Sequence, residues 1–281
     1  MKNYFKRTLC SLFAALMLSC ATLPAAAAQE DSVYTQSSQP VLKNTYTYGN
    51  LGDFSEETVE EFFANSAFVG DSVMYGFELY STRKKTIQSS SVFLTKTSFA
   101  ARHALKDVSA NSYHPSYNGQ KMLVEDALAL SGVNKVFISI GLNDVRVTPN
   151  SYFENYVEMI NRIKAKNPDI AVFIVSSTYP VLYPGNISHE EALAYRAQLY
   201  DLNCRLMQYA SEGNAYFIDV VSPLVDATGF LDPNFSSDNY VHLRNSAYQI
   251  WMERIELFAK NLILLQKIKK LSILDLIGQL R

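Results

Sequence analysis

Two short polar segments, far apart in the sequence, carry side chains that could form a catalytic pair. The first is Gly70-Asp71-Ser72, which directly follows an apolar run, and the second is SSDNYVHL, which contains His242. A serine becomes a useful nucleophile at neutral pH when a histidine takes its proton. The histidine in turn needs an acceptor on its other ring nitrogen, which holds the imidazole in the required tautomer. These residue types therefore predict acyl-transfer chemistry, with Ser72 as nucleophile and His242 as general base.

A third segment, IGLNDV, places Asn143 directly after another apolar run. Acyl transfer needs hydrogen-bond donors for the negative charge that develops on the carbonyl oxygen. The side-chain amide of Asn143 could supply one donor. The backbone N–H of Ser72 could supply another, because it would lie at the N-terminus of a predicted helix.

Each of these residues also has an ordinary structural explanation. Ser72 could cap a helix, Asn143 and Asp144 could form a turn, and His242 is one of four histidines in the chain. The three segments nevertheless follow three different predicted strands in a consistent order, and this conjunction favours a catalytic site.

The elements that must position these residues follow from the hydrophobic pattern. Five apolar runs alternate with helical patterns, and they are AFVG, SVFLT, KVFISIG, IAVFIVSS and AYFIDVV. This alternation predicts an α/β fold with a mainly parallel, five-stranded sheet. Capping-box spacing predicts helix starts at Asp53–Glu56 and at Ser188–Glu191. In such sheets active sites gather at the carboxyl ends of the strands, where the three polar segments lie.

With these motifs the sequence resembles the SGNH hydrolases, also called GDSL-type esterases and lipases, from about Ala67 to Leu257. The resemblance implies a flavodoxin-like three-layer α/β/α sandwich, no cofactor and no metal. It implies that Ser72 is both nucleophile and oxyanion donor, that Asn143 is an oxyanion donor and that His242 is the general base. The Gly-x-Ser-x-Gly elbow of α/β-hydrolases is absent from the sequence.

The sequence departs from the family pattern at two places. The family has a glycine after the second strand whose backbone N–H completes the oxyanion hole, and here Ser98 aligns best with it. The family also places its triad aspartate three residues before the histidine, where this chain has Asn239; Asp238 lies one residue further back. A carboxylate stabilises the imidazolium better than an amide does, so Asp238 is the predicted acceptor and Asn239 the alternative.

The composition of the N- and C-terminal segments predicts how the chain is divided outside the hydrolase domain. Residues 1–28 combine a basic start, a short apolar run and an Ala-x-Ala site, which indicates a secretory signal peptide. Residues 29–52 are polar without periodicity and predict a flexible linker. The hydrolase domain is predicted at 53–262, followed at 263–281 by an amphipathic helical tail whose lysines leave open a packed, dimerising or membrane-surface role. The oligomeric state stays open.

Cleavage of residues 1–28 leaves 22 basic and 27 acidic residues, a net charge of −5. Such a chain lacks the basic footprint of a nucleic-acid-binding protein. It retains one cysteine, Cys204, so an intramolecular disulfide is excluded.

The sequence predicts a secreted or cell-envelope serine esterase that hydrolyses a carboxylic ester of a carbohydrate. An O-acetyl ester is the first substrate that we expect. Tyrosines near the motifs would suit stacking against sugar rings, and they are Tyr75, Tyr113, Tyr117, Tyr179 and Tyr183. The alternatives are a lysophospholipase or short-chain lipid esterase, an O-acyltransferase, and a glycan-binding protein with an impaired triad. Cell-wall or membrane-surface association is compatible with each of them.

Overall fold

The structure is a computed structural model that describes residue 42 and residues 51–87 and 91–279, with side chains described as far as residue 273. The predicted signal peptide at 1–28 and nearly all of the predicted linker at 29–52 lie outside these residues. Three residues within the linker range are described: Leu42 and Leu51 are buried in the hydrophobic core, and Gly52 is exposed.

The core is a five-stranded sheet in which every pair of neighbouring strands is parallel, as the alternating pattern predicted. The strand order is β2-β1-β5-β6-β7. Its strands are β1 (Ser66–Gly70), β2 (Val92–Thr95), β5 (Lys135–Ser139), β6 (Ala171–Val175) and β7 (Tyr216–Ile218), and a separate antiparallel hairpin joins β3 (Ser116–Tyr117) to β4 (Gln120–Lys121).

Seven helices are described, and their contacts divide them into two groups. One group contains α1 (Val59–Phe63), α2 (Ser72–Lys84) and α7 (Asn245–Gln279); the other contains α3 (Ala101–Ala104), α4 (Val124–Ser131), α5 (Tyr152–Lys166) and α6 (His189–Ser211). Every residue of β1, β5 and β6 is buried, so these strands are covered on both faces. The result is a three-layer α/β/α sandwich.

An aromatic ladder crosses the sheet and fixes its register. Rings at paired positions lie close and nearly parallel, from Phe93 to Phe68 at 5.1 Å, then Phe137 at 4.8 Å, Phe173 at 4.7 Å and Tyr216 at 4.8 Å between centroids. A slip of one residue would turn each ring to the opposite face of the sheet, so the ladder penalises other registers.

The site lies where the strand order reverses. The connection from β1 runs to β2 on one side, whereas β5 pairs on the other side of β1, which opens a crevice at their carboxyl ends. At the end of β1, the backbone of Gly70 lies close to Met74 and to β5. Only glycine fits there, because a Cβ would lie 2.3 Å from the Met74 Cβ and 2.6 Å from the Ser139 carbonyl oxygen. The chain then enters α2 at Ser72.

Of the two capping boxes predicted at helix starts, one is confirmed and one is wrong. The capping box at Ser188 and Glu191 is present, with the Ser188 hydroxyl accepting from the Glu191 N–H at 3.1 Å. The predicted box at Asp53–Glu56 is wrong, because the first helix begins one turn later with a capping box of Thr58 and Glu61. Asp53 instead closes a tight turn by accepting the Ser55 N–H at 2.9 Å.

The predicted C-terminal tail is continuous with the last helix of the domain. Helix α7 runs for 35 residues without a break at residue 262. Gln266 holds it against the start of the domain, since its Oε1 accepts from the Phe54 N–H at 2.7 Å and its Nε2 donates to the Gly52 carbonyl at 3.0 Å. Lys270 pairs with Glu56 at 2.8 Å. Within the described part of the chain, the helices lack the long apolar stretch that crossing a membrane requires.

Candidate active site

Ser72 and His242 are brought together from opposite ends of the domain. The Ser72 Oγ lies 3.0 Å from the His242 Nε2. Ser72 is the first residue of α2, whose cap is Asp71; the Asp71 Oδ1 accepts the Val73 N–H at 2.9 Å. His242 comes from the loop that precedes α7. The distance allows a proton to pass directly from the hydroxyl to the imidazole.

Asp238 occupies the other ring nitrogen of His242. Its Oδ2 lies 2.5 Å from Nδ1, and its Oδ1 accepts backbone N–H groups of Tyr240, Val241 and His242 at 2.9–3.1 Å. Partial burial opposes ionisation of this carboxyl, but the hydrogen bonds from the His242 ring and from the backbone hold the pKa of Asp238 below its usual value. The group is therefore a carboxylate at neutral pH.

Asn239 does not face the histidine ring. Its amide nitrogen donates to the Tyr183 carbonyl at 3.4 Å, and its backbone adopts a left-handed conformation with φ of 54°. Asparagine tolerates this conformation better than most residues do. The extra residue between Asp238 and His242 is absorbed by this turn, so the carboxylate reaches Nδ1 despite a spacing of four.

Ser236 supports the same loop and had no signal in the sequence. Its side chain is buried, its Oγ donates to the Asp238 Oδ1 at 3.2 Å, and the same Oγ accepts the Tyr240 N–H at 3.1 Å. Arg244 reinforces the loop by donating from Nε to the Ser236 carbonyl at 2.6 Å. A serine two residues before an aspartate is too common a pattern to indicate this role.

Asn143 lies between Asp71 and the loop that follows β2. Its Nδ2 donates to the Phe99 carbonyl at 3.1 Å and makes a longer contact of 3.4 Å with the Asp71 Oδ2. The turn before it needs Gly141, whose φ is +147° and where a Cβ would lie 2.6 Å from both the Leu202 Cδ2 and the Ser177 Oγ. Asn143 is half-buried.

Ser98 occupies an exposed turn directly after β2. Its φ is 62°, in the left-handed region that glycine adopts most easily. The turn is joined to the first strand through the Lys96 N–H, which donates to the Gly70 carbonyl at 3.1 Å. The structure therefore places Ser98 in a conformation suited to glycine, in the loop next to the Gly70-Asp71-Ser72 turn.

Asp144 connects the loops of Asn143 and Ser98, and sequence reasoning gave it only a turn-forming role. Its buried carboxylate accepts the Ala101 N–H at 2.8 Å and the Arg102 N–H at 3.1 Å, at the start of α3. The Arg102 guanidinium lies 3.5 Å from this carboxylate and also donates to the Asn143 carbonyl. Burial raises the pKa of Asp144. Asp144 and Arg102 thus hold the two loops in one arrangement.

Asp71 is a second buried carboxyl beside the serine. Burial raises the pKa of Asp71 to about 7, and the negative charge of neighbouring Asp144 adds to this rise. The hydrogen bond from the Val73 N–H acts in the opposite direction, because it stabilises the ionised carboxylate. The base of the crevice therefore contains two carboxyl groups that resist ionising together.

The tyrosines predicted to bind sugar differ in how far their rings are exposed to solvent. Tyr75 and Tyr183 are 42% and 70% exposed, Tyr113 is exposed with its ring stacked on His103, and Tyr117 is half-buried. Tyr179 is 3% exposed and packs under the Arg196 guanidinium, so it cannot stack on a ligand. Tyr75 lies one helical turn after Ser72 on the same face of α2.

The family model of GDSL-like lipases and acylhydrolases matches residues 68–250, which is 183 of the 281 residues and includes each of the three motifs. The chain belongs to the GDSL-like lipase/acylhydrolase family. It is therefore an SGNH-type hydrolase, as its motifs predicted. A search of the curated proteins gives no match.

Solved structures share the fold. One is a GDSL-like lipase from Bacteroides thetaiotaomicron, 18% identical, with 72% of this chain and 90% of that chain covered and a TM-score of 0.52. Another is a proposed acylhydrolase from Bacteroides fragilis, also 18% identical, with 70% and 87% covered and a TM-score of 0.52. Identities this low show a common fold and carry no information about substrate.

Proposed function

We propose that this SGNH hydrolase is a serine esterase with a Ser72–His242–Asp238 triad. The observation that carries the proposal is the continuous contact from the Ser72 Oγ to His242 at 3.0 Å and on to Asp238 at 2.5 Å. This arrangement contains a nucleophile, a base and a group that orients the base, which together are what nucleophilic acyl transfer requires.

The reaction proceeds in two halves. The Ser72 Oγ attacks the ester carbonyl while its proton passes to the His242 Nε2, and the resulting imidazolium is stabilised by the Asp238 carboxylate. His242 then donates this proton to the departing alcohol, which leaves an acyl-serine. Water attacks the acyl-serine with His242 again as base, and the acid is released with Ser72 restored.

Three donors are available for the oxyanion: the backbone N–H of Ser72, the Nδ2 of Asn143 and a backbone N–H at Ser98. One Asn143 N–H is engaged by Phe99 at 3.1 Å, and the other makes only the 3.4 Å contact with Asp71. The second N–H is the one free to turn to the oxyanion, because little is lost when so long a contact breaks. Asp71 and Phe99 together orient the amide with its nitrogen inward.

We propose an O-acetyl ester of a carbohydrate as the substrate. The nucleophile has the polar side chains of Asp71 and His242 beside it, and His242 and Asp238 are 45% and 34% exposed. A long acyl chain gains about 0.8 kcal/mol for each buried CH₂, and a polar, open site supplies little such burial. The exposed rings of Tyr75 and Tyr183 support a sugar as the alcohol, since aromatic faces pack well against apolar faces of sugars.

We also propose that the protein is exported and cleaved after Ala28. The support is the order of a basic start, a short apolar run and the Ala-x-Ala site in residues 1–28. N-terminal sequencing of protein recovered from the cell envelope or medium of an expressing bacterium should begin at Gln29. An N-terminus at Met1 in that fraction would contradict cleavage.

Fluorophosphonate labelling tests the esterase proposal. We expect a stoichiometric adduct on Ser72 of the wild-type protein and none on a Ser72→Ala variant. Hydrolysis should then be measured on p-nitrophenyl acetate, p-nitrophenyl octanoate and acetylated oligosaccharides. The absence of an adduct would refute the triad, whereas preference for the octanoate would refute the short acyl group while leaving the triad intact.

A further inference from the structure

A groove of about 630 Å³, with polar side chains in its walls, lies between helices α2 and α7, and none of the triad residues lines it. Its floor is formed by Tyr80 and Met252, which are 6% and 4% exposed. Its walls carry the exposed side chains of Lys84, Gln249 and Glu253, together with the amide of Asn245. The volume lies within the range of small-ligand sites in proteins, about 300–1,000 Å³.

Contacts within the walls orient the polar groups. The Gln249 Nε2 donates to the Glu253 carboxylate at 3.0 Å, which leaves the Gln249 carbonyl oxygen and the second carboxylate oxygen as acceptors. The Asn245 Oδ1 accepts from Arg83 at 3.0 Å, which leaves its Nδ2 as a donor. The groove thus offers donors and acceptors side by side, as hydroxyl groups require, because each hydroxyl donates once and accepts up to twice.

The charge pattern disfavours anions and is compatible with a neutral ligand. Lys84 contributes one positive charge and Glu253 and Glu256 contribute two negative charges, of which Glu256 is paired with Lys260 at 3.4 Å. The small exposed parts of Tyr80 and Met252, below a polar rim, offer a limited apolar contact to a ligand that also carries hydroxyl groups. A sugar ring has this combination.

The groove begins close to the triad. Tyr80 is eight residues after Ser72 in the same helix, a rise of about 12 Å. Asn245 is three residues after His242, a span of at most about 11 Å. A single extended polymer could therefore occupy the groove and present an ester to Ser72.

We infer that the α2–α7 groove is a binding site for a neutral polysaccharide chain, which holds the polymer while the triad acts on an ester further along it. The inference rests on the proposed carbohydrate esterase function. It adds a second binding site, made of residues that the family motifs do not include.

Calorimetric titration with ester-free xylohexaose, cellohexaose and mannohexaose tests the groove without catalysis. The groove variant is Gln249→Ala/Glu253→Ala. The control is Gln208→Ala/Glu212→Ala at the C-terminal end of α6, which removes another Gln–Glu pair with the same spacing and a 3.3 Å contact. We expect at least one hexasaccharide to bind wild type and control equally and the groove variant at least about tenfold more weakly.

Failure to bind any of the three hexasaccharides would overturn the inference, as would equal affinity of the two double variants. The same experiments distinguish a failure of the proposed esterase function from a failure of the groove assignment. If hexasaccharides bind in the groove but wild type releases no acetate from acetylated hexasaccharides, the proposed esterase substrate is wrong, and only the polysaccharide binding in the groove stands. If acetate is released at equal rates by both double variants and the groove variant binds normally, the groove assignment alone is wrong.

Discussion

The Asp238 carboxylate contacts His242 at two points, with Oδ2 at 2.5 Å from the ring Nδ1 and Oδ1 accepting the backbone N–H of the same residue at 3.1 Å. The ring and the turn that carries it are therefore fixed by one side chain. Loss of the carboxylate would affect both the tautomer of the base and the conformation of its loop.

Asp238→Asn should lower kcat by about 10²–10⁴, because the amide removes the charge that stabilises the imidazolium. The matched control is Asn239→Gly, since glycine accepts the φ of 54° at that position without strain. We expect the control to stay within about twofold of wild type. Steady-state kinetics on p-nitrophenyl acetate provide the measurement, and comparable losses in both variants would remove Asp238 from the triad.

Ser72→Ala should reduce ester hydrolysis by about 10⁴ or more while leaving the fold intact. The helix start does not depend on the hydroxyl, because Asp71 supplies the cap. Circular dichroism and thermal unfolding should match wild type. Retention of half of the activity would rule out Ser72 as nucleophile.

Asn143→Ala should lower kcat by about 10²–10³ with a small change in KM, because the amide bonds the oxyanion more strongly than the ground-state carbonyl. Asn143→Asp is the informative companion, since it keeps the size of the side chain and replaces the donor by acceptors. Initial rates over a range of substrate concentrations separate the two parameters. An effect confined to KM would assign Asn143 to substrate binding.

Asp71→Asn should stabilise the protein increasingly as pH rises from about 4 to 7. The carboxyl pKa is 3.8 in an unfolded chain and about 7 in the folded protein. In this interval the unfolded state has released the proton that the folded state retains, so wild type loses stability as pH rises, whereas asparagine does not titrate. Each pKa unit corresponds to roughly 1.4 kcal/mol. Urea unfolding at pH 4, 5, 6, 7 and 8 gives the difference, and a difference independent of pH would show that Asp71 is ionised throughout.

Gln266→Ala should lower the free energy of unfolding by about 1–2 kcal/mol, because it removes two hydrogen bonds that attach α7 to residues 52–54. Lys270→Ala, which removes only an exposed ion pair with Glu56, should have little effect. Urea unfolding monitored by Trp251 fluorescence reports both. A larger loss in the lysine variant would show that the ion pair, not Gln266, anchors the helix.

The parallel five-stranded sheet could be predicted because the apolar runs are continuous and the polar motifs follow them directly. Ser72, Asn143 and His242 could be proposed as site residues for the same reason, since each lies near the end or start of a regular element. The spacing of Asp238 was the difficult point, and the structure explains it by the left-handed turn at Asn239.

The supporting residues could not be predicted because their partners are remote in the sequence. Asp144 binds N–H groups 42 and 43 residues away, and Gln266 binds residues more than 200 positions away. A buried carboxylate that caps another helix has no local signature. The continuity of α7 was missed because a cluster of lysines after residue 266 resembled a new segment, although the helical spacing of apolar residues continues through it.

The separation of Ser72 and His242 by 170 residues has a consequence for timing. Synthesis at about 5–20 residues per second delivers the base about 10–30 s after the nucleophile. Contacts this distant also form late, since closing so long a loop must precede any gain from it. A nascent or truncated chain that ends before His242 has no base for its serine and stays inert toward esters. The onset of hydrolysis in a synthesis reaction therefore reports the time at which the His242 loop docks beside Ser72.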